Sequence, residues 1–324
     1  MRRKEQSDSN GVSACKATPL TRPLPWPMLT GNVRRECATR LNLACRSARR
    51  NAPALRGFRQ VRGGSALRLK DKAIIVTGST TGIGEAIARR CAAEGARVLV
   101  HGRDQARGEH VTRQIGNGGL LHIDDLSDPS CPARLVEAAV ERFGRLDAVV
   151  NNAAMVTRSN LQTTDAEFLD RVIAINVRAP LLLIRAAVEH LKKTRGCVLN
   201  IGSINGYCGE ANLLAYSVSK GALMTLSRNL ADALGRDAVR VNHFNVGWVL
   251  TPNEKEIKVR DGMSEDWPDH VRPEFAPSGR IMNPEQIAEA AVYWLGDESR
   301  PVSGSVLDLE QYPTIGRNPL KEDS

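Results

Sequence analysis

A buried strand, a glycine-rich loop and a helix follow one another directly from residue 73 to about residue 95, and this succession constrains the fold most. The strand is the run Ala73-Ile-Ile-Val-Thr77, and the loop is Gly78-Ser-Thr-Thr-Gly-Ile-Gly84. Gly78 permits a tight turn, while Gly82 and Gly84 let the backbone approach a ligand closely. This geometry presents backbone N–H groups and a helix N-terminus to a phosphate. The spacing differs from the G-x-G-x-x-G dinucleotide fingerprint, and the lack of Gly-Lys-Ser/Thr disfavours a kinase or ATPase.

Strands and helices alternate along the rest of the chain. We predict further strands at 97–101, 120–123, 146–150, 197–202, 239–246 and 306–309, and helices at about 132–143, 165–191, 212–235 and 284–295. Alternation on this scale predicts an α/β fold, a single Rossmann-type, doubly wound parallel sheet with helices on both faces. Ligands of such sheets bind at the carboxyl ends of the strands, where Gly78, Asp125, Asn151 and Ser203 all lie.

We expect one catalytic domain over residues 69–315, preceded by a basic extension (1–68) and followed by a C-terminal tail (316–324). The extension holds 15 basic and 3 acidic side chains, whereas the remainder of the chain holds 30 basic and 33 acidic ones. The positive net charge of +9 therefore comes from the extension, and it does not indicate that the domain binds nucleic acid. Its prolines and arginines follow no apolar period, so we expect it to be disordered. It is either an Arg-rich organelle-targeting peptide, or the product of a start codon assigned too far upstream or a non-functional extension.

Composition also bounds the compartment and the partners. No apolar run approaches the ~20 residues of a transmembrane helix, and the N-terminus has no apolar secretory region. Seven cysteines without C-x-x-C spacing indicate free thiols in a reducing compartment and not disulfides or a zinc site. We therefore expect a cytoplasmic protein without membrane or nucleic-acid partners and without a metal.

A candidate proton-transfer group lies between Ser203 and Lys220. Tyr216 and Lys220 are four residues apart on a predicted helix, so their side chains share one face. An ammonium beside a phenol favours the phenolate, so we predict that Lys220 lowers the pKa of Tyr216 from about 10 toward neutrality. A tyrosine tuned in this way can donate or accept a proton, and Ser203 would hydrogen-bond the same substrate oxygen. The Tyr-x-x-x-Lys pair alone also fits a solvated helix face.

The end of the second predicted strand bears on the choice of cofactor. Gly102 stands where NAD enzymes place an acidic residue on the ribose diol. The next residue, Arg103, could instead pair with a 2′-phosphate, which favours NADP over NAD. The alternative is that Arg103 is a solvent-exposed loop residue.

Taken together, these motifs resemble the classical short-chain dehydrogenase/reductase family over about residues 70–310. The resemblance implies a catalytic triad of Ser203, Tyr216 and Lys220, with Asn176 as its fourth member. Tyr216 would be the general acid in reduction and the base in oxidation, and Asn176 would hold a proton-relay water. Lys220 would also bind the nicotinamide ribose, and Ser203 would hold the substrate oxygen.

The same resemblance implies cofactor contacts at several strand ends. These are Thr77, Gly78, Ser79, Thr81, Gly82, Ile83 and Gly84 at the phosphates, Arg103 at the ribose, Asp125 and Leu126 at the adenine, Asn152 and Ala153 on the adenosine side, Tyr216 and Lys220 at the catalytic centre, and Gly247, Val249 and Thr251 along the nicotinamide. Two positions depart from the family pattern, because Ala154 replaces a usual glycine and Val246 replaces a usual proline.

We therefore predict an NAD(P)-dependent oxidoreductase that transfers hydride between nicotinamide and a secondary alcohol or ketone. Charged and proline-rich residues 253–282 have little period and should form an irregular lid, and their charges favour a small polar substrate such as a sugar or polyol. The alternatives are a 3-oxoacyl thioester reductase and a catalytically silent NAD(P)-binding sensor or scaffold. The family resemblance also implies a homo-oligomer, a tetramer or a dimer.

Overall fold

The computed structural model describes residues 67–314. The C-terminal tail and all but the last two residues of the predicted N-terminal extension lie outside this range. The strands within it are β1 Ala73–Val76, β2 Arg97–Gly102, β3 Gly119–Ile123, β4 Ala148–Asn151, β5 Cys197–Ser203, β6 Arg240–Val246 and β7 Val306–Leu309. The helices within it are α1 Gly82–Ala93, α2 Gln105–Ile115, α3 Cys131–Phe143, α4 Ala166–Ile173, α5 Ala179–Thr194, α6 Asn205–Cys208, α7 Leu214–Leu234, α8 Pro252–Arg260 and α9 Pro284–Leu295.

The seven strands form one parallel sheet in the order β3-β2-β1-β4-β5-β6-β7. The chain builds outward from β1 to β3 and then returns to place β4 beside β1. The order of strands therefore reverses between β1 and β4, which is where open α/β sheets bind ligands. The predicted fold class is confirmed.

Residues of β1 alternate between two buried cores, one on each face of the sheet. Ile74 and Val76 join the core beneath α1, α2 and α9, whereas Ala73 and Ile75 join the core beneath α3, α5 and α7. Successive side chains of a strand point to opposite faces, so a sheet covered on both faces needs continuous apolar strands. This requirement explains why the apolar run at residues 73–76 could be identified from sequence.

Three helices were not anticipated. One is α6, which has only four residues, and another is α2, where only Gly108 and Val111 are buried. The third is α8, which lies inside the segment 253–282 that we predicted to be irregular, so that prediction is wrong for its first part. Thr251 caps α8 by accepting from the Glu254 amide, and Pro252 occupies its first turn, but none of its residues is buried. A helix with no buried face has no apolar period to detect.

Candidate active site

A cavity of about 860 Å³ lies beside the residues that follow β5, β6 and β7. Its lining includes Ser203 and Tyr216, which we predicted to act in proton transfer, and Ile83, Gly247 and Thr251, which we predicted to contact the cofactor. Residues far apart in the chain thus meet at one edge of the sheet, because parallel strands all end at the same edge.

Strand β5 and helix α7 position the proposed proton-transfer group. Ser203 is the last residue of β5 and is buried, its hydroxyl accepts from the Asn205 amide at 3.2 Å, and it lines the cavity together with the half-buried Tyr216. Lys220 is one helical turn beyond Tyr216 and is only 3% exposed. Its Nζ donates to the carbonyl of Ile201 at 2.7 Å and lies 5.5 Å from the centroid of the Tyr216 ring.

The predicted lowering of the Tyr216 pKa is wrong for this structure. Burial raises the pKa of Tyr216 to about 12; the hydrogen bond from Ser203 opposes this rise and the charge of Glu254 adds to it. Burial also lowers the pKa of Lys220 to about 8. Burial disfavours each charged form, and the ammonium donates its hydrogen bond to a carbonyl of β5 and not to the phenol oxygen.

Asn176 braces two neighbouring segments. It lies on a π-helical turn, Ala174–Arg178, between α4 and α5, and it is 1% exposed. Its Oδ1 accepts from the Met155 amide at 2.7 Å, and its Nδ2 donates to the Met155 carbonyl at 3.1 Å and to Ser219 Oγ at 2.9 Å. Both protons of the side-chain amide nitrogen are therefore taken by protein groups, so a water could not accept a hydrogen bond from this nitrogen.

The glycine-rich loop fits a dinucleotide phosphate. The first N–H groups of α1, including those of Gly82, Ile83 and Gly84, have no partner within the helix, and the side chain of Thr81, which precedes α1, does not cap them. Gly78 and Gly82 adopt φ values of 63° and 59°, which favour glycine. A Cβ on Gly84 would overlap the Gly78 carbonyl and the Asn152 amide. An uncapped helix N-terminus beside a close backbone cradle suits an anion.

Other predicted phosphate-site residues tie the loop to the sheet. The Thr77 hydroxyl accepts from the amides of Asn152 at 3.0 Å and Ala153 at 3.1 Å, so it joins β1 to the segment after β4. Ser79 is fully buried, and its hydroxyl donates to the Val76 carbonyl at 2.7 Å. The side chains of Thr77 and Ser79 thus hold the loop in place and are not directed to a ligand.

At the ends of β2 and β3, Arg103 and Asp125 are exposed and Leu126 is buried. The Asp125 carboxylate accepts from the Ser127 amide at 2.8 Å. The preceding Asp124, which the sequence reasoning missed, receives two hydrogen bonds from Arg134 at 2.8 Å, and the guanidinium holds the pKa of Asp124 well below its usual range. This ion pair orders the segment that carries Asp125 and Leu126.

The segment after β6 contacts both β7 and the glycine loop. Gly247 donates to the Leu309 carbonyl at 2.9 Å, and Trp248 donates its amide to Glu310 at 3.0 Å. Val249 is buried and pairs with Met282 in an isolated bridge. The methyl group of Thr251 faces Gly82, where a Cβ would approach it to 3.3 Å. Val246, at the position of the usual proline, simply ends β6.

Three cavity-lining segments also meet through a group that the sequence did not suggest. Arg158, which follows β4, donates to Asp261 at the end of α8 at 2.7 Å and lies 3.5 Å from Glu210. The indole Nε1 of Trp248 donates to Glu254 at 2.8 Å. Arg158 and Asp261 are 103 residues apart in the chain, so no local sequence pattern could indicate their contact.

Within residues 67–314, no helix combines the length and the apolar character needed to cross a bilayer. The same range contains no group of three or more His, Cys, Asp and Glu side chains arranged to hold a metal ion. Its cysteines, Cys91, Cys131, Cys197 and Cys208, are all free thiols.

Comparison with known proteins gives consistent relatives. A family model described as enoyl-(acyl carrier protein) reductase matches residues 78–310. Cyclopentanol dehydrogenase of Comamonas sp. (strain NCIMB 9872) is 32% identical over 250 residues, which cover 75% of this chain and 97% of the relative. The NADP-dependent (R)-specific alcohol dehydrogenase of Lentilactobacillus kefiri is 33% identical over 244 residues, 74% of this chain and 94% of the relative. The structure of a 3-ketoacyl-(acyl-carrier-protein) reductase from Brucella melitensis complexed with NADH superimposes with a TM-score of 0.67 at 30% identity, covering 74% of this chain and 97% of the other.

Proposed function

The chain belongs to the classical short-chain dehydrogenase/reductase family and is an NAD(P)-dependent oxidoreductase of alcohols and ketones, and we propose that Tyr216 exchanges the proton while the substrate is a small polar alcohol or ketone. The observation that carries the proposal is that the hydroxyl groups of Ser203 and Tyr216 belong to residues that line the same 860 Å³ cavity. A hydroxyl pair at this place can bind one substrate oxygen from two sides.

Nicotinamide, when bound, supplies or accepts the hydride. Tyr216 would donate its proton to the substrate oxygen during reduction, its phenolate form would remove that proton during oxidation, and Ser203 would hold that oxygen. Because burial raises the pKa of Tyr216 to about 12, the phenol is protonated at neutral pH. The protonated phenol is the form that carbonyl reduction requires of a general acid.

Lys220 and Asn176 would support the reaction from behind Tyr216. The ammonium of Lys220 is held by the Ile201 carbonyl beneath the Tyr216 ring, and the Asn176 amide fixes Ser219, whose hydroxyl donates to the Tyr216 carbonyl at 2.6 Å. Both residues would therefore keep the first turns of α7 in register with the end of β5. The glycine loop would take the cofactor's phosphates, and exposed Arg103 is placed to favour NADP if a 2′-phosphate lies at the end of β2.

The lining of the cavity supports a compact substrate of mixed polarity. Leu213, Val249 and Ile257 contribute apolar walls, and Glu254 and Lys258 contribute charged groups from α8. Such a mixture suits a hydrocarbon frame that carries several hydroxyl groups, as a sugar or polyol does. Residues 253–282, which include most of α8, would act as the lid.

A second candidate is the reduction of 3-oxoacyl thioesters, which the likeness to the Brucella melitensis reductase favours. An acyl carrier protein is acidic and would need a basic docking surface. Residues 69–324 hold 30 basic and 33 acidic side chains, which does not provide an excess of positive charge.

The test is nicotinamide absorbance with the full-length protein. Sugars, polyols and cyclic secondary alcohols would be offered with NADP⁺ and NAD⁺, and the matching ketones and a 3-oxoacyl thioester with NADPH and NADH. Turnover of a polyol or sugar at more than about tenfold the kcat/KM of the thioester is expected. The reverse order would establish the second candidate, and tight cofactor binding without turnover of any compound would favour a silent sensor.

We also propose that the protein is a cytoplasmic homo-oligomer, a tetramer or a dimer. Support comes from the free thiols of the described cysteines and from the family to which the chain belongs. Light scattering coupled to size-exclusion chromatography measures the mass of the full chain, and a mass of 35.3 kDa would contradict the oligomer. Fractionation of producing cells would test the compartment.

A further inference from the structure

His101 lies at the carboxyl end of β2 and contacts both segments that flank it. Its side chain is 2% exposed, and the proposed reaction does not use it. Imidazole Nδ1 accepts from the Gly78 amide at 3.3 Å, and Nε2 lies 3.2 Å from the Asp124 carbonyl. The backbone of His101 adds two bonds to Ser79, one from the Ser79 amide at 2.8 Å and one to the Ser79 hydroxyl at 3.0 Å.

The two ring partners determine the tautomer of His101. A backbone carbonyl can only accept and an amide N–H can only donate, so Nε2 carries the proton and Nδ1 offers its lone pair. One neutral imidazole therefore satisfies both partners at once. The ring forms a bridge from the glycine loop after β1 to the segment after β3, and no other side chain in residues 67–314 is hydrogen-bonded to both the Gly78 amide and the Asp124 carbonyl.

Each end of this bridge leads to residues placed at the proposed cofactor site. Gly78 has a φ of 63°, and a Cβ there would come within 2.8 Å of the Ala153 backbone, so the loop has little freedom to move. Gly78 is followed by the uncapped N-terminus of α1. Asp124 is followed by Asp125 and Leu126. A shift at Gly78 would move the amide groups of α1, and a shift at Asp124 would move the adenine side.

We propose that His101 is a positioning residue that holds the glycine loop and the segment after β3 at the spacing required by the adenosine diphosphate half of NAD(P). Its ring atoms contact neither Ser203 nor Tyr216, so the effect acts on cofactor affinity and not on proton transfer. The inference depends on cofactor binding at the glycine loop and is independent of which alcohol or ketone is the substrate.

Three substitutions separate the two ring contacts. In His101→Asn, the amide oxygen is two bonds from Cβ, as Nδ1 is, and can accept from Gly78 without reaching Asp124. In His101→Gln, the amide nitrogen is three bonds from Cβ, as Nε2 is, and can donate to Asp124 without serving Gly78. In His101→Leu, both contacts are lost.

The dissociation constants of NADP⁺ and NAD⁺ would be measured by calorimetry on the full-length protein, and the tighter cofactor used throughout. We expect His101→Leu to bind about tenfold more weakly, which corresponds to the loss of about one hydrogen bond's net contribution with its desolvation. His101→Asn should remain within about threefold of the wild type, with His101→Gln between the two. The KM for the cofactor should rise in the same order while kcat at saturating cofactor stays within about twofold.

His243 provides the matched control. It is a fully buried histidine at the middle of β6, with bonds to Ser227 at 2.9 Å and Asn245 at 3.0 Å, and three strands separate β6 from β2. His243→Leu should lower the unfolding midpoint as His101→Leu does. Its affinity for ADP-ribose 2′-phosphate, or for ADP-ribose if NAD is preferred, should stay within about threefold of the wild type, whereas His101→Leu should lose about tenfold for the same ligand.

Several results would overturn the inference. One is an affinity of His101→Leu equal to that of the wild type, and another is an equal loss in His243→Leu. If His101→Leu does not fold, the comparison of His101→Asn with His101→Gln decides, and tighter or equal binding by His101→Gln would contradict the primary role of the Gly78 contact. A wild type that binds no cofactor would instead refute the assignment of the loop.

Discussion

The ammonium group of Lys220 donates a hydrogen bond to the carbonyl oxygen of Ile201 at 2.7 Å. This carbonyl lies in β5, two residues before Ser203, so Lys220 is held against the strand that ends in the candidate active site. The ammonium faces the ring of Tyr216 at 5.5 Å from its centroid. Burial lowers the pKa of Lys220 to about 8 and raises that of Tyr216 to about 12.

Replacement of Tyr216 by phenylalanine should remove the proton donor and leave the ring in place. We expect kcat for ketone reduction to fall by about 10²- to 10⁴-fold, because that is the usual contribution of a positioned general acid. Cofactor affinity should stay within about threefold, measured by calorimetry on the same preparation. Tyr293→Phe is the matched control, since Tyr293 is 42% exposed on α9 and should change neither quantity. Retention of turnover in Tyr216→Phe would contradict the assigned role.

Lys220→Met should inactivate the enzyme and yet stabilise the fold. Burial of the charged ammonium at pH 7 lowers the stability of the fold, as its lowered pKa of about 8 indicates. A methionine of similar length carries no charge and so avoids this loss of stability, but it also loses the hydrogen bond to the Ile201 carbonyl. We expect the free energy of unfolding in urea to rise by ~1–2 kcal/mol at pH 7.

The gain in unfolding free energy of Lys220→Met over the wild type should be smaller at high pH. The unfolded state binds more protons than the native state between pH 8 and 10.5, so the wild type gains stability as pH rises through that window. Urea titrations at pH 7 and pH 10.5 would measure the difference. An advantage that does not change with pH would show that burial of the charge is not its origin.

Acid should destabilise the protein through its two buried histidines. Burial lowers the pKa of both His101 and His243 to about 4 from an ordinary value of 6.5, so each is neutral when folded. Near His101, Asp124 and Asp125 favour protonation of the imidazole and His122 opposes it. Near His243, Lys220 and Arg228 both oppose protonation.

Below pH 6.5 both histidines become protonated in the unfolded state but stay neutral in the folded state. The free energy of unfolding therefore falls as pH decreases toward 4, by at most ~3 kcal/mol for each histidine. Urea unfolding between pH 7.5 and 5 should show this slope, and His243→Leu should reduce it. His110→Gln, at an exposed position of α2, should leave the slope unchanged. A flat profile in the wild type would contradict the prediction.

Gly84→Ala should weaken cofactor binding and lower stability together. The added Cβ would overlap the Gly78 carbonyl and the Asn152 amide, so α1 must move away from the loop. We expect a loss of ~1–3 kcal/mol in unfolding free energy, as for an overpacked site, and an affinity at least about tenfold lower. Gly235→Ala is the control, because its φ is −59° and no atom lies within 4 Å of its added Cβ. Calorimetry and urea titration on both variants would check this, and normal affinity in Gly84→Ala would refute the close-approach role.

Arg158→Ala should act on substrate binding more than on folding. The pairs with Asp261 and Glu210 are partly exposed, so they contribute only ~0–1 kcal/mol to stability. They join the segment after β4 to the end of α8, and their loss should raise the substrate KM several-fold with little change in cofactor affinity. Arg113→Ala, which loses a pair with Glu109 at 3.8 Å on exposed α2, should match the wild type. An unchanged KM in Arg158→Ala would exclude a role for this contact in closing the site.

Much of the sheet and several helices could be predicted because burial imposes a period on them. Strand 306–309 and helix 284–295 were placed with the bounds that the structure has, and the continuous apolar run at 73–76 predicted a strand covered on both faces. Helices α2 and α8 were not predicted, because α2 buries only two residues and α8 buries none, so neither has a clear apolar period. The spacing of Tyr216 and Lys220 could also be read locally, since one helical turn sets it.

The amino-acid sequence by itself determined the alternation of strands and helices, the glycine loop, and the order in which reactive side chains follow the strands. Tertiary structure alone decided which groups meet. Lys220 contacts Ile201, His101 contacts Gly78, and Arg158 contacts Asp261 across 19, 23 and 103 residues of chain. It also decided the direction of the Tyr216 pKa shift, because desolvation depends on what surrounds a group in space. A four-residue spacing specifies that two side chains share a face, but it does not specify whether water or a carbonyl lies beside them.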